Sequence, residues 1–175
     1  GYSVWIQAQY QLPMRSIVEV SLPNLTPGEN SNAEQRIPIS EFYENAIMGE
    51  DQLRMRATYA LSQVFVVSTN SGRVASDGEG LSRYMDILQE GAFGNFRDLL
   101  EEITYSPVMG DYLTYAGNRK ANPATGSAPD ENYAREILQL FTIGLYELNQ
   151  DGTLRLDGTG RPIETYTNED ITELA

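Results

Sequence analysis

The sequence predicts an all-α protein, an irregular bundle of about six to eight helices with one small β-hairpin near the C-terminus. Apolar residues recur every three or four positions in several segments, which is the spacing of one helix face. Helix start and stop signals flank these segments. Near the C-terminus, short alternating runs replace the helical spacing. At 175 residues the chain fits one domain, and we expect a single helical domain over residues 1–175.

The sequence of residues 1–49 predicts only short helices and little other regular structure. A short helix follows Ser3. Residues 13–38 contain four prolines and little periodicity, which predicts an extended surface loop with a short strand at residues 17–22. Ser40 is expected to start a brief helix that ends at Gly49.

Residues 51–68 carry the strongest helix pattern and are expected to form the centre of the fold. Their apolar side chains fall on two sides of the helix, and a helix of that kind is normally surrounded by others. Helices over residues 95–105, 107–116 and 130–143 are expected to pack against it. The main stripe consists of Leu53, Ala57, Ala60, Leu61, Val64, Phe65 and Val67, and a second line of Met55, Tyr59 and Val66.

The segments that follow carry clear boundary residues. A glycine-rich loop over residues 70–80 leads into a helix that ends at Gly91. Asn95 is a good cap for the next helix. Pro107 suits the first turn of another helix, which Gly117 is expected to end.

The C-terminal part begins with a helix that Gly144 ends in the left-handed conformation. Residues 154–157 and 163–166 then alternate around a turn, which predicts the β-hairpin. Thr167 and Asp170 resemble a capping box at the start of a last helix. We expect no internal repeat.

Composition excludes several functions. The chain has 12 basic and 25 acidic residues and a net charge of −13, which repels phosphate backbones and argues against a nucleic-acid partner. No apolar run approaches the ~20 residues of a membrane span, so no membrane insertion is expected. Cysteine and histidine are absent, which excludes disulfides, thiolate or imidazole zinc sites, and Ser-His-Asp or Cys-His nucleophile systems. No cofactor is predicted.

Adjacent acidic residues are the main candidates for catalysis. A glycosidase needs two carboxyl groups roughly 5–10 Å apart. Helix capping and the helix dipole explain three of the four pairs, and the fourth has Arg97 four residues before it. No catalytic residue is therefore assigned. The pairs are Glu50–Asp51, Glu101–Glu102, Asp130–Glu131 and Glu169–Asp170.

Residues 147–154 resemble the first eight positions of a calcium-binding EF-hand loop. Gly158 stands where the bidentate Glu of such a loop belongs. Turn chemistry explains the same residues equally well, and no metal ligand is assigned.

The polar face of the helix over residues 130–143, with the loop before it, is the most site-like feature. An arginine–lysine pair ahead of an acidic helix start suits an anion or carboxylate clamp. In the alternative interpretation Arg135 pairs with Glu131 at i,i+4, and the two basic loop residues cover the loop. The candidate binding residues are Asn118, Arg119, Lys120, Asn132, Arg135 and Glu136.

Several of these segments carry a family resemblance. Residues 51–65, 92–100, 118–120, 130–136 and 166–170 stand in the order found in the large bacterial proteins of the domain-of-unknown-function 1800 family, and the chain resembles that family over nearly its whole length. The resemblance implies a mostly helical bacterial protein, with an extracytoplasmic location in at least some members, and it identifies the helix at residues 132–136 as a hallmark.

The family comparison also shows two departures. Ser106 stands where the family usually has His before the proline, so any role of that imidazole is absent here. Family members are considerably longer and this chain has no initiator Met, which leads us to expect an internal fragment.

The resemblance brings no established activity, and two hypotheses follow from the residues. The first is a non-enzymatic binding or scaffolding module that uses a protein partner or self-association through surface exposed by truncation. The alternative is a hydrolase that uses acidic residues, with or without a divalent cation, and has part of its site outside this fragment. A pocket where Asn118, Arg135 and Glu136 converge favours an enzyme or small-ligand site, and a fully paired surface favours the scaffold.

Overall fold

The computed structural model describes residues 1–26 and 31–175. The described chain is mostly helical, with ten α-helices, so the expectation of a mainly α-helical fold is confirmed. The chain forms two compact units, residues Gly1–Tyr112 and Leu113–Ala175. The single-domain assignment stays a prediction. Residues 27–30 of the predicted loop lie outside the described residues.

The first unit is organised around α6. This helix packs against α2, α3, α4 and α7, and it buries Leu81, Tyr84 and Leu88. The prediction that residues 51–68 form the centre is wrong, because α4 itself buries only Met55 and Thr58. Of the predicted apolar stripe, Phe65 at the C-cap is buried and the other members are partly or largely exposed. The helices of this unit are α1 Tyr2–Tyr10, α2 Ile17–Ser21, α3 Ser31–Met48, α4 Gln52–Val64, α5 Gly72–Ala75, α6 Gly78–Gly91, α7 Phe96–Tyr105 and α8 Pro107–Tyr112.

The strand predicted at residues 17–22 is wrong, since these residues form α2 and a 3-10 turn. The Ser16 hydroxyl oxygen accepts the N–H of Glu19 and caps the helix. The carboxylate of Asp86 on α6 accepts the N–H of Ile17 at 2.7 Å. A helix of five residues is marginal by itself, and this contact from α6 satisfies the first free N–H group of α2.

The brief helix predicted after Ser40 is part of the longer α3. The side chain of Ser40 does not cap a helix start. Its hydroxyl donates to the carbonyl oxygens of Arg36 and Ile37 within α3. Pro38 lies inside α3 as well. Neither Pro38 nor Ser40 therefore marks a helix boundary here, and the Ser40 hydroxyl bonds back to the carbonyl groups of the preceding turn.

The predicted loop at residues 70–80 is replaced by α5 and the start of α6. Gly78 is needed there, because a Cβ atom at this position would lie 2.6 Å from the carbonyl oxygen of Glu34 on α3. The glycine therefore allows close approach of the two helix backbones.

The boundaries of α7 and the start of α8 are confirmed. Asn95 accepts the N–H of Arg97 as predicted, and α8 starts at Pro107. The expectation that this helix continues to Gly117 is wrong, because α8 ends at Tyr112 and Thr114 has a φ of +63°. That left-handed conformation cannot continue a right-handed helix.

The second unit contains α9 Asn132–Glu136 and α10 Asn168–Leu174, with a π-helical turn Ile137–Phe141 directly after α9. Gly144 ends this helical segment with a φ of +75°, as predicted. The capping box of α10 is also confirmed, because the Thr167 and Asp170 side chains each accept a backbone N–H of the other residue.

The predicted β-hairpin is wrong, since the described residues contain isolated antiparallel bridges and no sheet. Three short segments, residues 145–148, 153–156 and 162–165, form what we call the bridge triangle. Each pair of segments shares a single bridge, so no ladder of two strands develops. The bridges are Tyr146 with Glu164, Leu148 with Leu154, and Leu156 with Pro162.

The bridge triangle has a period of eight residues, which corrects the expectation of no internal repeat. The N–H of Arg155 donates to the carbonyl oxygen of Glu147 (2.9 Å), that of Ile163 to Arg155 (3.0 Å), and that of Glu147 to Ile163 (2.9 Å). These three bonds form a closed cycle. Three glycines with positive φ follow the same spacing of eight residues: Gly144, Gly152 and Gly160.

Candidate functional site

The side chain of Asn118 makes four hydrogen bonds in the second unit. Its Nδ2 donates to the carbonyl oxygens of Asp130 (3.0 Å) and Ala175 (3.1 Å). Its Oδ1 accepts the backbone N–H groups of Asp130 (2.9 Å) and Arg119 (3.1 Å). The side-chain amide therefore joins both ends of the loop that precedes α9, and its donors and acceptor are used by the fold.

Asp130 is the shared partner of two predicted site residues. It binds Asn118 through its backbone, and its Oδ1 accepts the N–H of Asn132 at 2.9 Å. Its Oδ2 accepts the hydroxyl of Thr114 at 2.8 Å. The Asn132 N–H and, secondarily, the Thr114 hydroxyl hold the pKa of Asp130 below its usual value. The bond to Thr114 also connects this carboxylate to the one non-glycine residue with positive φ among the described residues.

Arg135 connects α9 to α10. Its Nη2 lies 2.5 Å from Oε2 of Glu131 and 3.3 Å from Oδ1 of Asn168. The hydroxyl of Thr172 donates to Oε1 of Glu131 at 3.3 Å. The i,i+4 ion pair of the structural interpretation is thus present, and it belongs to a network that spans two helices.

The other predicted site residues are placed differently. Lys120 is exposed, and neither its side chain nor that of Arg119 has a hydrogen bond or ion pair within the described residues. Glu136 is half-buried, and its Oε2 is shielded from solvent without a hydrogen-bond partner among the described residues. Ligand binding by the six residues stays a prediction.

A cleft of about 290 Å³ lies beside the α9–α10 network. Among the described residues, Arg135 is the one member of the predicted site that lines it. The remaining wall comes from the bridge triangle and from the start of α10. The lining residues are Arg135, Leu145, Tyr146, Glu164, Tyr166, Thr167, Asn168 and Ile171.

Sequence reasoning missed Tyr146, Glu164 and Tyr166 as site residues. Tyr146 and Glu164 are far apart in the chain, and a backbone bridge brings them together. Tyr166 and Asn168 lie in residues 166–170, one of the segments that carry the family resemblance, next to the capping residues Thr167 and Asp170. That resemblance is the one signal in the sequence that points to them.

The tyrosines of α9 and the segment before it are structural. The rings of Tyr115 and Tyr133 stack with centroids 4.2 Å apart, and Tyr133 also contacts Phe141 edge-on at 6.4 Å. Burial and, secondarily, the neighbouring Tyr133 raise the pKa of Tyr115. The phenol of the half-buried Tyr115 is therefore neutral at neutral pH.

Comparison with known proteins settles the family. The model of a family described as protein of unknown function (DUF1800) matches residues 1–175, the whole chain. The chain belongs to the DUF1800 family. The resemblance inferred from the sequence motifs is therefore confirmed. Neither a curated protein nor a solved structure matches the chain.

In this DUF1800 chain, the segment at residues 130–136 supplies internal hydrogen bonds and the α9–α10 ion pair. The side chains of Asp130, Glu131 and Arg135 thus make their contacts within the second unit. No helix in the described part of the chain is long and apolar enough to cross a membrane.

The bridge triangle of the DUF1800 chain presents apolar side chains to solvent. Leu148 is 58% exposed, Leu154 44% and Leu156 56%. A bridge sets Leu148 opposite Leu154, and Leu154 and Leu156 alternate on one segment and share a face. We call these three residues the leucine surface.

Acidic turns flank the leucine surface. The Thr153 hydroxyl and N–H lower the pKa of Asp151. The N–H of Arg161 and, secondarily, the Thr159 hydroxyl lower that of Asp157. Both carboxylates are therefore ionised at neutral pH.

The residues of the calcium-like loop are bonded among themselves. Asp151 Oδ1 accepts the hydroxyl of Thr153 at 2.7 Å, and Asn149 donates to the same hydroxyl at 3.0 Å. Glu147 forms an ion pair with Arg155. The described residues contain no group of three or more acidic side chains placed to hold a metal ion. The turn interpretation accounts for this loop.

Proposed function

We propose that this DUF1800 chain is a non-enzymatic binding module that engages a protein partner through the leucine surface. The observation that carries the proposal is the placement of Leu148, Leu154 and Leu156, three large apolar side chains, side by side and about half exposed. Contiguous exposed apolar side chains commonly mark interaction sites, whereas scattered ones do not.

The frame under these leucines supports the proposal. The cyclic backbone bonds among Glu147, Arg155 and Ile163 hold the three segments together, and the Glu147–Arg155 ion pair adds a side-chain link. A surface fixed before binding loses little conformational entropy when a partner arrives.

The charge of the chain indicates the chemistry of the partner. The net charge is −13, and the ionised Asp151 and Asp157 lie in the turns beside the leucines. A protein that presents an apolar face with a basic rim is complementary to this surface. The same charge leads us to propose that nucleic acids are not partners.

The bonds that Asn118 and Arg135 make within the second unit favour a scaffold over a catalytic centre. Asn118 and Arg135 are used in bonds to Asp130, Ala175, Glu131 and Asn168. A catalytic group must be available to the substrate, and the amide of Asn118 and the Nη2 atom of Arg135 are engaged by the fold.

Peptide selection tests the proposal. A display library of random 16-residue peptides is selected on the full chain, and the enriched peptides are measured against a Leu148→Ser/Leu156→Ser variant. Enriched peptides are expected to combine basic with large apolar residues and to bind the variant at least about tenfold more weakly, since two leucine side chains that the bound peptide would cover are lost.

Leu174→Ser is the matched control, because Leu174 is 51% exposed on α10 of the same unit. It is expected to leave peptide affinity unchanged. Equal peptide binding by the double variant contradicts the proposal. So does a homodimer in light scattering that the double variant abolishes, because the occupant of the leucine surface is then a second copy.

One observation favours the second candidate function, a hydrolase that uses acidic residues. The shielded Oε2 of Glu136 has no hydrogen-bond partner among the described residues, which is costly unless some further group pairs with it. Chromogenic ester, glycoside and phosphate substrates with and without divalent cations test this candidate. Turnover that Glu136→Gln abolishes supports it, and absence of turnover removes it.

A further inference from the structure

The cleft beside α9 offers a mixed set of polar groups. Arg135 uses Nη2 for Glu131 and Asn168, and within the described residues its Nε and Nη1 have no hydrogen bond. The same holds for Nδ2 of Asn168 and for the carboxylate of Glu164. The cleft therefore contains donors and a charged acceptor that the described fold does not use.

Two tyrosines contribute to the apolar part of the wall, together with Leu145 and Ile171. Tyr146 is 40% exposed, and Tyr166 is half-buried. Tyrosine combines a flat apolar face with a hydroxyl at its rim, and it suits ligands that are apolar on one face and polar at the edge.

The charges exclude the simplest alternative, an anion site. The positive charge of Arg135 is compensated by Glu131 at 2.5 Å, Glu164 adds a negative charge to the cleft, and the chain carries −13 overall. An anionic ligand meets a repulsive field here. A neutral ligand that both donates and accepts hydrogen bonds fits the available groups.

The volume of the cleft further limits which ligands can fit. At about 290 Å³, it lies just below the ~300–1,000 Å³ typical of ligand pockets. That volume is too small for a large cofactor and suits one or two sugar rings.

We propose that this cleft binds a neutral saccharide. A pyranose places its C–H face against Tyr146 or Tyr166. Two of its hydroxyls donate to the Glu164 carboxylate, and its oxygens accept from Arg135 and Asn168. The side chains of this site are not those of the leucine surface. The saccharide proposal therefore goes beyond the proposed protein-binding function and is tested independently of it.

Binding of the labelled full chain to an array of neutral and acidic glycans tests the proposal. Neutral glycans are expected to bind. Tyr146→Ala and Glu164→Gln are each expected to reduce binding about tenfold, since they remove an aromatic face and a charge-assisted acceptor. Tyr146→Phe keeps the ring and the fold and is expected to retain most of the binding.

Matched controls separate this site from the rest of the chain. Tyr105→Ala removes a tyrosine that is 78% exposed in the first unit, and Glu173→Gln changes an exposed acid on α10; neither is expected to alter glycan binding. The Leu148→Ser/Leu156→Ser variant is also expected to bind glycans normally. Absence of any glycan binding, binding to acidic glycans alone, or binding that survives both Tyr146→Ala and Glu164→Gln overturns the proposal.

Discussion

The carboxylate of Asp86 accepts the backbone N–H of Ile17 at 2.7 Å, across 69 positions of the sequence. The same carboxylate accepts the hydroxyl of Ser16 at 2.5 Å and the side-chain amide of Gln89 at 3.1 Å. One buried side chain on the central helix α6 thus holds the start of α2. Ile17 is itself fully buried, in a cluster with Phe42 and Met55.

Replacement of Asp86 by Ala is expected to destabilise the first unit by about 2–4 kcal/mol, because it leaves buried donors without an acceptor. Urea denaturation followed by the fluorescence of Trp5, the one tryptophan of the chain, measures this. Glu90→Ala, at an exposed position of the same helix, is the control and is expected to change stability by less than about 0.5 kcal/mol. Equal effects of the two substitutions would show that Asp86 does not hold α2.

The glycines of the bridge triangle provide a second prediction. Gly152 and Gly160 each have a φ of +83°, so Ala at either position is expected to cost about 1 kcal/mol. Gly158 lies in the same segment without a positive φ and with open space around it, and Gly158→Ala is expected to be neutral. Far-UV circular dichroism during thermal unfolding compares the three. A cost at Gly158 equal to the other two contradicts the eight-residue arrangement.

Thr114 has a left-handed backbone that its β-branched side chain disfavours. Its φ is +63°, and its hydroxyl bond to Asp130 at 2.8 Å helps to hold it. Thr114→Gly is expected to be more stable than Thr114→Ala by about 1 kcal/mol, since both lose the hydroxyl but Gly alone accepts this φ freely.

Ala60, which is exposed in α4, serves as the control in chemical denaturation. In a regular helix Ala is favoured over Gly, so Ala60→Gly is expected to lower the free energy of unfolding by about 1 kcal/mol. If Gly is the less stable choice at Thr114 as well, the left-handed assignment is wrong.

The capping box of α10 predicts how stability depends on pH. The N–H and the hydroxyl of Thr167 lower the pKa of Asp170. A carboxyl whose folded pKa lies below its unfolded value stabilises the fold above the unfolded value, about 4, and loses that contribution as the pH falls further. Denaturation between pH 2.5 and 7 is expected to show an acid-side loss of stability that is smaller in Asp170→Asn. If both proteins lose the same stability as the pH falls, Asp170 does not stabilise the fold through the capping box.

The boundaries that could be predicted from the sequence are those set by local chemistry. Asn95, Gly144 and the Thr167–Asp170 box act on atoms within a few residues, and the structure confirms each. Helix α2 could not be predicted, because its start depends on a carboxylate 69 positions away.

The bridge triangle was missed for a related reason. Each pair of segments shares one bridge, so alternation extends over too few residues to distinguish a closed triangle from a hairpin. In the candidate site, the pairing of Arg135 with Glu131 follows from i,i+4 spacing. Its second partner, Asn168, lies 33 positions away and could not be inferred.

Hydrogen exchange of the full chain, with and without a peptide selected on it, tests the central claim most directly. If the leucine surface binds the partner, amide protection is expected to rise in residues 145–156 and to stay unchanged in residues 118–136, which contain none of the three leucines. Protection that rises in residues 118–136 instead, with residues 145–156 unaffected, would contradict the account.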